Sequence, residues 1–343
     1  MEWAVILAGG AGTRFWPLSS PSRPKQLLPL VDGRSTAVET LERLRGLIPP
    51  ARTLLVTGAA LAPRLAEQLR LPAENILIEP RAASTGPALV WATWEARRRD
   101  PDAAVLSLHA DWTVKDAAAF TRVAAAALAS AARHDALVTV GIVPSRPETA
   151  YGYIEPGAAL DSLTRRVERF TEKPDAGRAL DLMAGGALWN SGLFAWTAER
   201  LLAEVRSHTP EIARALGSLE AGDVPGFFAA VEAITIDVGL LERSDAVAVV
   251  AGDFDWDDVG TWEALARIHP RDGRGNVCIG MVAAHESSDC IVWSERVPIV
   301  LAGVRDLVVV EANGRILVLD RGRAADLKKT LDALPASIRE LPD

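Results

Sequence analysis

Near the start of the chain stands Trp3-Ala4-Val5-Ile6-Leu7-Ala8-Gly9-Gly10-Ala11-Gly12-Thr13-Arg14-Phe15-Trp16-Pro17, an apolar run ending in a glycine-rich loop. Trp3–Ala8 is apolar on both faces, the pattern of a buried parallel strand. The loop follows at the strand's C-terminal edge, where open α/β sheets bind ligands. Its glycines let the backbone approach a phosphate closely, and successive N–H groups form an anion nest. Two familiar phosphate loops are excluded. No lysine follows Gly12 as a Walker A loop requires, and Phe15 stands where a dinucleotide fingerprint needs its third glycine. Pro17 also resists immediate entry into a helix. Arg14 offers a planar guanidinium for bidentate phosphate binding. Further along, Pro24-Lys25-Gln26-Leu27-Leu28-Pro29 places a lysine on the same segment.

Outward from this stretch, as far as Val140, short apolar runs alternate with longer amphipathic ones. Leu54–Thr57, Ile76–Ile78, Val105–Leu108 and Leu137–Val140 read as further buried strands. Ala37–Leu47, Leu61–Leu69, Pro87–Arg99 and Ala117–Arg133 read as helices, the last capped by Asp116. That alternation implies right-handed βαβ units and an open parallel sheet. From 144 to 262 the pattern is less regular, with β-like pieces at Tyr151–Glu155, Arg165–Thr171, Gly192–Trp196 and Ala246–Val250 and a helix at Ala198–Ser207. It reads as an extension that completes a site. After His269-Pro270-Arg271-Asp272-Gly273, the expected linker, short Val/Ile/Leu runs recur at Val277–Val282, Cys290–Val292, Ile299–Leu301, Leu307–Glu311 and Ile316–Leu319. Asp, Gly and Asn punctuate them, and a helix over Ala324–Leu334 follows. This part reads as a small all-β unit. No long repeat and no low-complexity segment stands out.

The 343 residues suggest two domains, and 49% hydrophobic with 24% charged residues is the balance of a globular protein. A net charge of −8 argues against broad binding to nucleic acid or anionic membrane. Two cysteines, Cys278 and Cys290, exclude a disulfide scaffold and a Cys-rich zinc site. No basic leader and no bilayer-length apolar run is present, so the expected location is the cytoplasm. Only five of the 37 basic residues are lysines, and two of these, Lys25 and Lys173, fall within the motifs below.

Those motifs make the sequence resemble a family. Gly9-Gly10-Ala11-Gly12-Thr13-Arg14-Phe15-Trp16-Pro17 followed by Pro24-Lys25-Gln26 resembles the signature of the sugar-1-phosphate nucleotidyltransferases. Its Phe-Trp-Pro and Lys-Gln are similar to the mannose-1-phosphate guanylyltransferase (GDP-mannose pyrophosphorylase) branch. Further motifs follow in the family's order. Thr85-Gly86-Pro87-Ala88 resembles the segment that meets the base, and His109-Ala110-Asp111 resembles a Pro-Ala-Asp metal motif. Pro147–Ile154, Phe170-Thr171-Glu172-Lys173-Pro174 and Trp189-Asn190-Ser191-Gly192 resemble sugar-phosphate motifs. Trp256-Asp257-Asp258-Val259-Gly260-Thr261-Trp262 resembles a late metal motif. The match covers about residues 3–265.

The resemblance implies an α/β fold: a Rossmann-like nucleotidyltransferase domain with a mixed, mostly parallel sheet over 1–268, and a small C-terminal β-helix-like domain with a closing helix over 274–343. It implies that GTP and mannose 1-phosphate give GDP-mannose and pyrophosphate, by in-line attack of the sugar phosphate on the α-phosphorus. Such chemistry asks chiefly for positioning and charge neutralisation. By resemblance, Arg14 steadies the departing β- and γ-phosphates, Lys25 the α-phosphate and Lys173 the sugar's phosphate. Leu7, Gly9, Gly10, Gly12, Thr13, Ser84 and Thr85 would bind the nucleotide. Gly152, Glu172, Asn190 and Asp237 would bind the sugar phosphate. Asp111 and Asp258 would hold Mg²⁺, a hard cation suited to one or two carboxylates plus phosphates, and Asp257 is the reserve ligand. A homodimer is the family expectation. Some longer relatives carry a second, phosphomannose-isomerase domain, and this chain is expected to match the short form without it.

The chain departs from the family's usual residues at Ser84, His109 and Trp112, and at Ser35–Thr40 where a Gln-containing segment is usual. The same chemistry with another NTP or hexose 1-phosphate therefore stands as an alternative, beside a non-catalytic sugar-nucleotide sensor. A nicotinamide-dependent oxidoreductase is disfavoured by the missing third glycine. The ten tryptophans are read as core residues rather than a carbohydrate-stacking surface. Ser107, near His109, is read as an inward strand residue and not a nucleophile.

Overall fold

The computed structural model describes residues 1–10, 13–31 and 33–339, and of Thr13 the backbone only. Packing divides the chain into two compact units that interleave in sequence. The first comprises Met1–Gly9, Thr40–Ala110 and Val114–Trp256. The second comprises Gly10–Glu39, Asp111–Thr113 and Asp257–Asp343.

The first unit is built on a nine-stranded sheet. Its strands are β1 (Glu2–Ala8), β2 (Thr53–Gly58), β3 (Ile76–Glu79), β4 (Ala104–His109), β6 (Leu137–Ile142), β7 (Tyr153–Ala159), β8 (Thr164–Thr171), β9 (Leu188–Thr197) and β10 (Val247–Gly252), in the order β3-β2-β1-β4-β9-β6-β10-β8-β7. A two-residue strand, β5 (Thr113–Val114), precedes β6 in the chain, and another, β11 (Trp256–Asp257), follows β10. The ladders β2–β3, β1–β2, β1–β4 and β6–β10 are parallel, while β9 runs against β4 and β6 and β8 runs against β10 and β7. Seven of the nine strands therefore point one way. β1 is buried from Trp3 to Ala8, as a strand covered on both faces must be. The irregular middle of the sequence supplies the least local feature: Leu188–Thr197 is inserted as β9 between β4 and β6. Its buried run, Leu193–Trp196, comes from that central place.

The helices follow the expected pattern. They include α1 (Thr36–Arg43), α2 (Ala62–Leu69), α3 (Thr85–Arg99), α4 (Ala117–His134), α5 (Ala176–Ala184) and α6 (Ala198–His208). Asp116 does cap α4, accepting the N–H of Ala119 at 2.9 Å. The expected helix Ala37–Leu47 stops at Arg43. Beyond it Leu44 bonds back to Leu41 only, and Gly46 turns left-handed at φ +86°. Three short helices, α7 (Pro210–Ala213), α8 (Leu216–Glu220) and α9 (Val224–Ala230), precede a π-helical turn at Asp237–Leu241.

In the second unit α10 (Trp262–Ile268) leads to β12 (Val277–Ile279), β13 (Val282–His285), β14 (Ile291–Ser294), β15 (Ile299–Ala302), β16 (Leu307–Ala312) and β17 (Arg315–Asp320). The run Val277–Val282 is two strands, not one. Gly280 breaks it at φ +86°, where a Cβ would collide with the carbonyl of Ser294. β12, β14 and β16 form one ladder and β13 and β15 another, all parallel. Ile291 faces Val308 and Val282 faces Ile299, so the β14–β16 and β13–β15 pairings share one sequence offset, while Val277 faces Ile291 at a shorter one. This short repeat is hidden in the sequence, because the rungs share only an apolar core and a left-handed corner. Those corners fall at Glu286 and Gly303, and at Asp289 and Asp306. β17 returns antiparallel on β16 through Asn313-Gly314, both with positive φ, the turn such a dipeptide favours in a two-residue hairpin. The expected closing helix is a 3-10 turn at Arg321–Asp326 followed by α11 (Leu327–Asp332), and α12 (Ala336–Arg339) ends the described chain.

Candidate active site

In the first unit, the expected sugar-phosphate residues lie together in one cluster. Asn190 on β9 is its hub. Its N–H donates to the carbonyl of Gly152 at 2.8 Å. Its Oδ1 accepts from Thr139 Oγ1 at 3.0 Å and from the N–H of Gly192 at 3.2 Å, so the amide orientation follows, and Nδ2 donates to Asp237 Oδ1 at 2.8 Å. Gly152 is required sterically. A Cβ there would stand 2.6 Å from Glu172 Oε2 and 3.2 Å from the ring of Phe170. Lys173, left-handed at φ +47°, donates to Glu172 Oε1 at 2.5 Å and remains 60% exposed, so the ammonium is open to a phosphate. Asp237 opens the π-helical turn. Burial of its carboxyl, together with the charge of Glu172, pushes its pKa up to about 7. Thr139 was not anticipated. Its only sequence signal is a hydroxyl inside the apolar run Leu137–Val140.

The expected base segment is fastened to the same region. Ser84 precedes α3 at φ +69°, a strained angle for a residue with a Cβ. Thr85 Oγ1 accepts the N–H of Ile236 at 3.0 Å, and Gly86 N–H donates to the carbonyl of Ile234. A Cβ at Gly86 would stand 2.7 Å from that carbonyl. The start of α3 thus anchors the segment that delivers Asp237. Leu7 places its side chain in the core and its carbonyl accepts Ala110 N–H at 2.9 Å, while Gly9 is exposed. His109 lies beside Gly192, whose φ of +76° and missing Cβ accommodate the imidazole. Ser107 is fully buried, and its hydroxyl has no hydrogen-bond partner among the described residues, which fits an inward strand residue. Eight of the ten tryptophans are buried and the other two half-buried, as core residues should be.

In the second unit, the expected phosphate and metal residues gather around Lys25. Its ammonium donates to Asp111 Oδ2 at 3.2 Å and to the carbonyl of Asp258. The lysine side chain is 9% exposed and Asp111 35%, so a buried cation carries a reachable carboxylate. Asp258 Oδ1 accepts the N–H of Gly260 at 3.2 Å. A Cβ on Gly260 would sit 2.8 Å from Asp258 Oδ2 and 3.3 Å from the Arg14 guanidinium, which brings Arg14 to the same place. Gly10 holds φ +95°, a conformation glycine supplies readily. Gly12 and the side chain of Thr13 lie outside the described residues.

Asp257 does not join this group. It takes Arg267 bidentately at 2.5 and 2.8 Å, accepts the N–H of Val259 at 2.8 Å, and is buried. The reserve assignment as a metal ligand gains no support, because both oxygens are engaged by Arg267 and Val259. Among the described residues no three His, Cys, Asp or Glu side chains are grouped to hold a metal unaided. Asp111 and Asp258 nevertheless fit a hard cation whose remaining ligands are phosphate oxygens and water.

The comparisons with known proteins agree with this chemistry. A nucleotidyl transferase family model matches residues 3–274, and a MannoseP isomerase/GMP-like beta-helix domain matches 280–334. Mannose-1-phosphate guanylyltransferase of Escherichia coli is 36% identical over 98% of this chain and 74% of that protein. Alginate biosynthesis protein AlgA of Pseudomonas aeruginosa is 34% identical over 98% of this chain and 72% of that protein. A crystal structure described as mannose-1-phosphate geranyltransferase from Thermus thermophilus superposes with a TM-score of 0.91 at 35% identity, covering 96% of this chain and 98% of that one. With a family model over most of its length and relatives that align with 98% of it, the chain belongs to the nucleotidyl transferase family, in the branch of the mannose-1-phosphate guanylyltransferases.

Proposed function

We propose that this protein joins GTP and mannose 1-phosphate to give GDP-mannose and pyrophosphate. The observation that carries the reading is the match to mannose-1-phosphate guanylyltransferase across 98% of the chain. The site's chemistry supports it. An oxygen of the sugar phosphate attacks the α-phosphorus, and the bond to the β-phosphate bridging oxygen breaks. Pyrophosphate departs with that bond's electron pair. No proton transfer is needed, so the work is orientation and charge neutralisation.

The assignments follow from the two clusters. Lys25 offsets the charge that builds on the α-phosphate, and Arg14 steadies the departing phosphates. Glu172 and Asn190 pair with the sugar's vicinal hydroxyls, with Asp237 and Thr139 orienting Asn190. Lys173 neutralises the sugar's phosphate. Leu7, Gly9, Gly10, Gly12, Thr13, Ser84 and Thr85 surround the nucleotide. Asp111 and Asp258 would hold Mg²⁺, which supplies further neutralisation of phosphate charge when bound. The catalytic domain spans 1–268 and the β domain 274–343, a division supported by the two family-model matches. The reading also carries a cytoplasmic location and a homodimer. Among the described residues no helix is long and apolar enough to cross a membrane.

The test is pyrophosphate release with Mg²⁺, crossing GTP, ATP, UTP and dTTP with mannose 1-phosphate and glucose 1-phosphate. Preference for GTP with mannose 1-phosphate is the expected result. Preference for another pair would retain the mechanism and revise the substrate. No release from any pair would favour the non-catalytic sensor.

A further inference from the structure

Lys25 sits in a segment of irregular backbone with only a single 3-10 turn, Lys25–Leu27, of its own. Such a segment needs outside restraint to hold an ammonium in place, and the restraint comes from the β strands of the same unit. The carboxylate of Glu295, in the turn after β14, accepts two hydrogen bonds. Its Oε1 takes the Arg23 guanidinium at 2.9 Å, and its Oε2 takes the N–H of Asn313 at 3.0 Å. Asn313 Nδ2 in turn donates to the carbonyls of Pro17 at 2.8 Å and Leu18 at 3.3 Å. One connected pair thus grips the segment at both ends, at Pro17–Leu18 and at Arg23. Between these points Ser20 and Arg23 exchange two backbone hydrogen bonds at 3.0 Å, closing a tight turn just before Lys25.

The gripping pair is itself held rigidly. The carboxylate of Glu311 accepts the N–H groups of Glu295, Arg296 and Val297 at 3.0, 2.8 and 3.0 Å. It is buried, so this anchor is not a solvated surface contact. Asn313 is fixed by the left-handed hairpin turn that it shares with Gly314. Burial alone would raise the pKa of Glu295, but Arg23 and the Asn313 N–H more than offset it and hold the carboxyl below the ordinary range.

We propose that Glu295 and Asn313 are positioning residues for the transfer reaction: they brace Pro17–Arg23 and thereby hold the Lys25 ammonium against Asp111 and the Asp258 carbonyl. The inference rests on the role given to Lys25 above. The β domain is on this account part of the catalytic apparatus, acting through Pro17–Arg23.

Two variants separate the brace from general stability. Glu295→Ala removes both of its bonds. Asn313→Gly keeps the left-handed turn and deletes only the carboxamide. Each should lower kcat about tenfold, the scale of a misplaced catalytic group, with KM for GTP and mannose 1-phosphate held within about twofold. Glu295→Gln, which still accepts from Asn313, should recover part of the rate. Hydrogen exchange of the 17–28 segment should speed up in both brace variants. Combined with Lys25→Ala, Glu295→Ala should cause no further loss, because both act on one group. Losses that multiply, or unchanged kcat in the folded variants, would overturn the inference. So would unchanged exchange of the 17–28 segment. The wild-type and Lys25→Ala rates test the parent reading independently. Lys25→Ala at the wild-type rate would sink that reading, and an unaffected Glu295→Ala beside a crippled Lys25→Ala would sink only the brace.

Discussion

Replacing Gly152 by alanine probes the hydroxyl-binding cluster at its tightest point. Gly152 is not in the left-handed region, so the perturbation is purely steric. The new Cβ would lie 2.6 Å from Glu172 Oε2 and 3.2 Å from two ring atoms of Phe170. Ordinary contact begins near 3.4 Å, so the carboxylate must withdraw clearly while the ring need hardly yield. The larger movement falls on the end of a flexible side chain. The fold should absorb it for about 1 kcal/mol, the low end of overpacking, or a few degrees in Tm. Binding has no such freedom. A hydrogen bond to a charged group contributes about 1.5–3 kcal/mol, so drawing Glu172 away should lower kcat/KM for mannose 1-phosphate by about 10–150-fold. Contact with a non-reacting hydroxyl is made equally before and during reaction, so the loss should appear in KM with kcat retained. The assay is pyrophosphate release with mannose 1-phosphate varied at saturating GTP, alongside a melting curve. Glu172→Gln serves as the control that leaves Gly152 intact. A folded Gly152→Ala with wild-type KM would refute the placement of Glu172 on the sugar.

Lys25→Ala should cut kcat by about 10²–10³, the usual scale for losing an electrostatic contact made in the transition state, as read by steady-state pyrophosphate release. Asp258→Asn should weaken the Mg²⁺ activation curve along with the rate. Asp257→Asn should leave that curve's midpoint in place but lower Tm, because it uncouples the paired Arg267; an Asp257→Asn that shifts the metal titration would reverse the two assignments. Asp237 gives a pH signature. Its pKa is raised to about 7 in the fold from a carboxylate's ordinary value near 3.8, so the folded protein binds a proton that the unfolded chain has released. Stability should therefore fall as pH rises from about 4 through 7 and level off above it. Melting curves from pH 5 to 8 should slope downward in the wild type and less so in Asp237→Asn; equal slopes would remove Asp237 as the source.

The elements whose reasons are local were legible in the chain. β1 declares itself by six consecutive buried positions, α4 by its Asp116 cap, and the loop after β1 by glycines that can approach phosphates. The candidate site was legible as a set of residue types in order, and the structure brings Lys25, Asp111, Asp258 and Arg14 together. The features the sequence left unresolved depend on partners outside the residue's own strand or turn. The motif ranks Asp258 ahead of Asp257 and holds Asp257 in reserve, while Arg267 on α10 engages the Asp257 carboxylate. Thr139 is an ordinary strand residue until Asn190 of β9 is laid beside β6.

The sequence by itself determined the alternation of strands and helices, the glycine loop and the set of candidate site side chains. These depend on backbone preference, on hydrophobic periodicity and on what each residue can donate or accept. Tertiary structure alone decided where β9 enters the sheet, why β12 and β13 are separate, and that β13–β15 and β14–β16 pair at one offset. It also decided that Lys25 bonds Asp111 and Asp258, and that Glu295 grips Arg23, all across long stretches of chain. Local pattern constrains a residue's neighbours within a turn or a strand. Which distant groups share its hydrogen bonds is settled only when the core closes and every buried polar atom must find a partner.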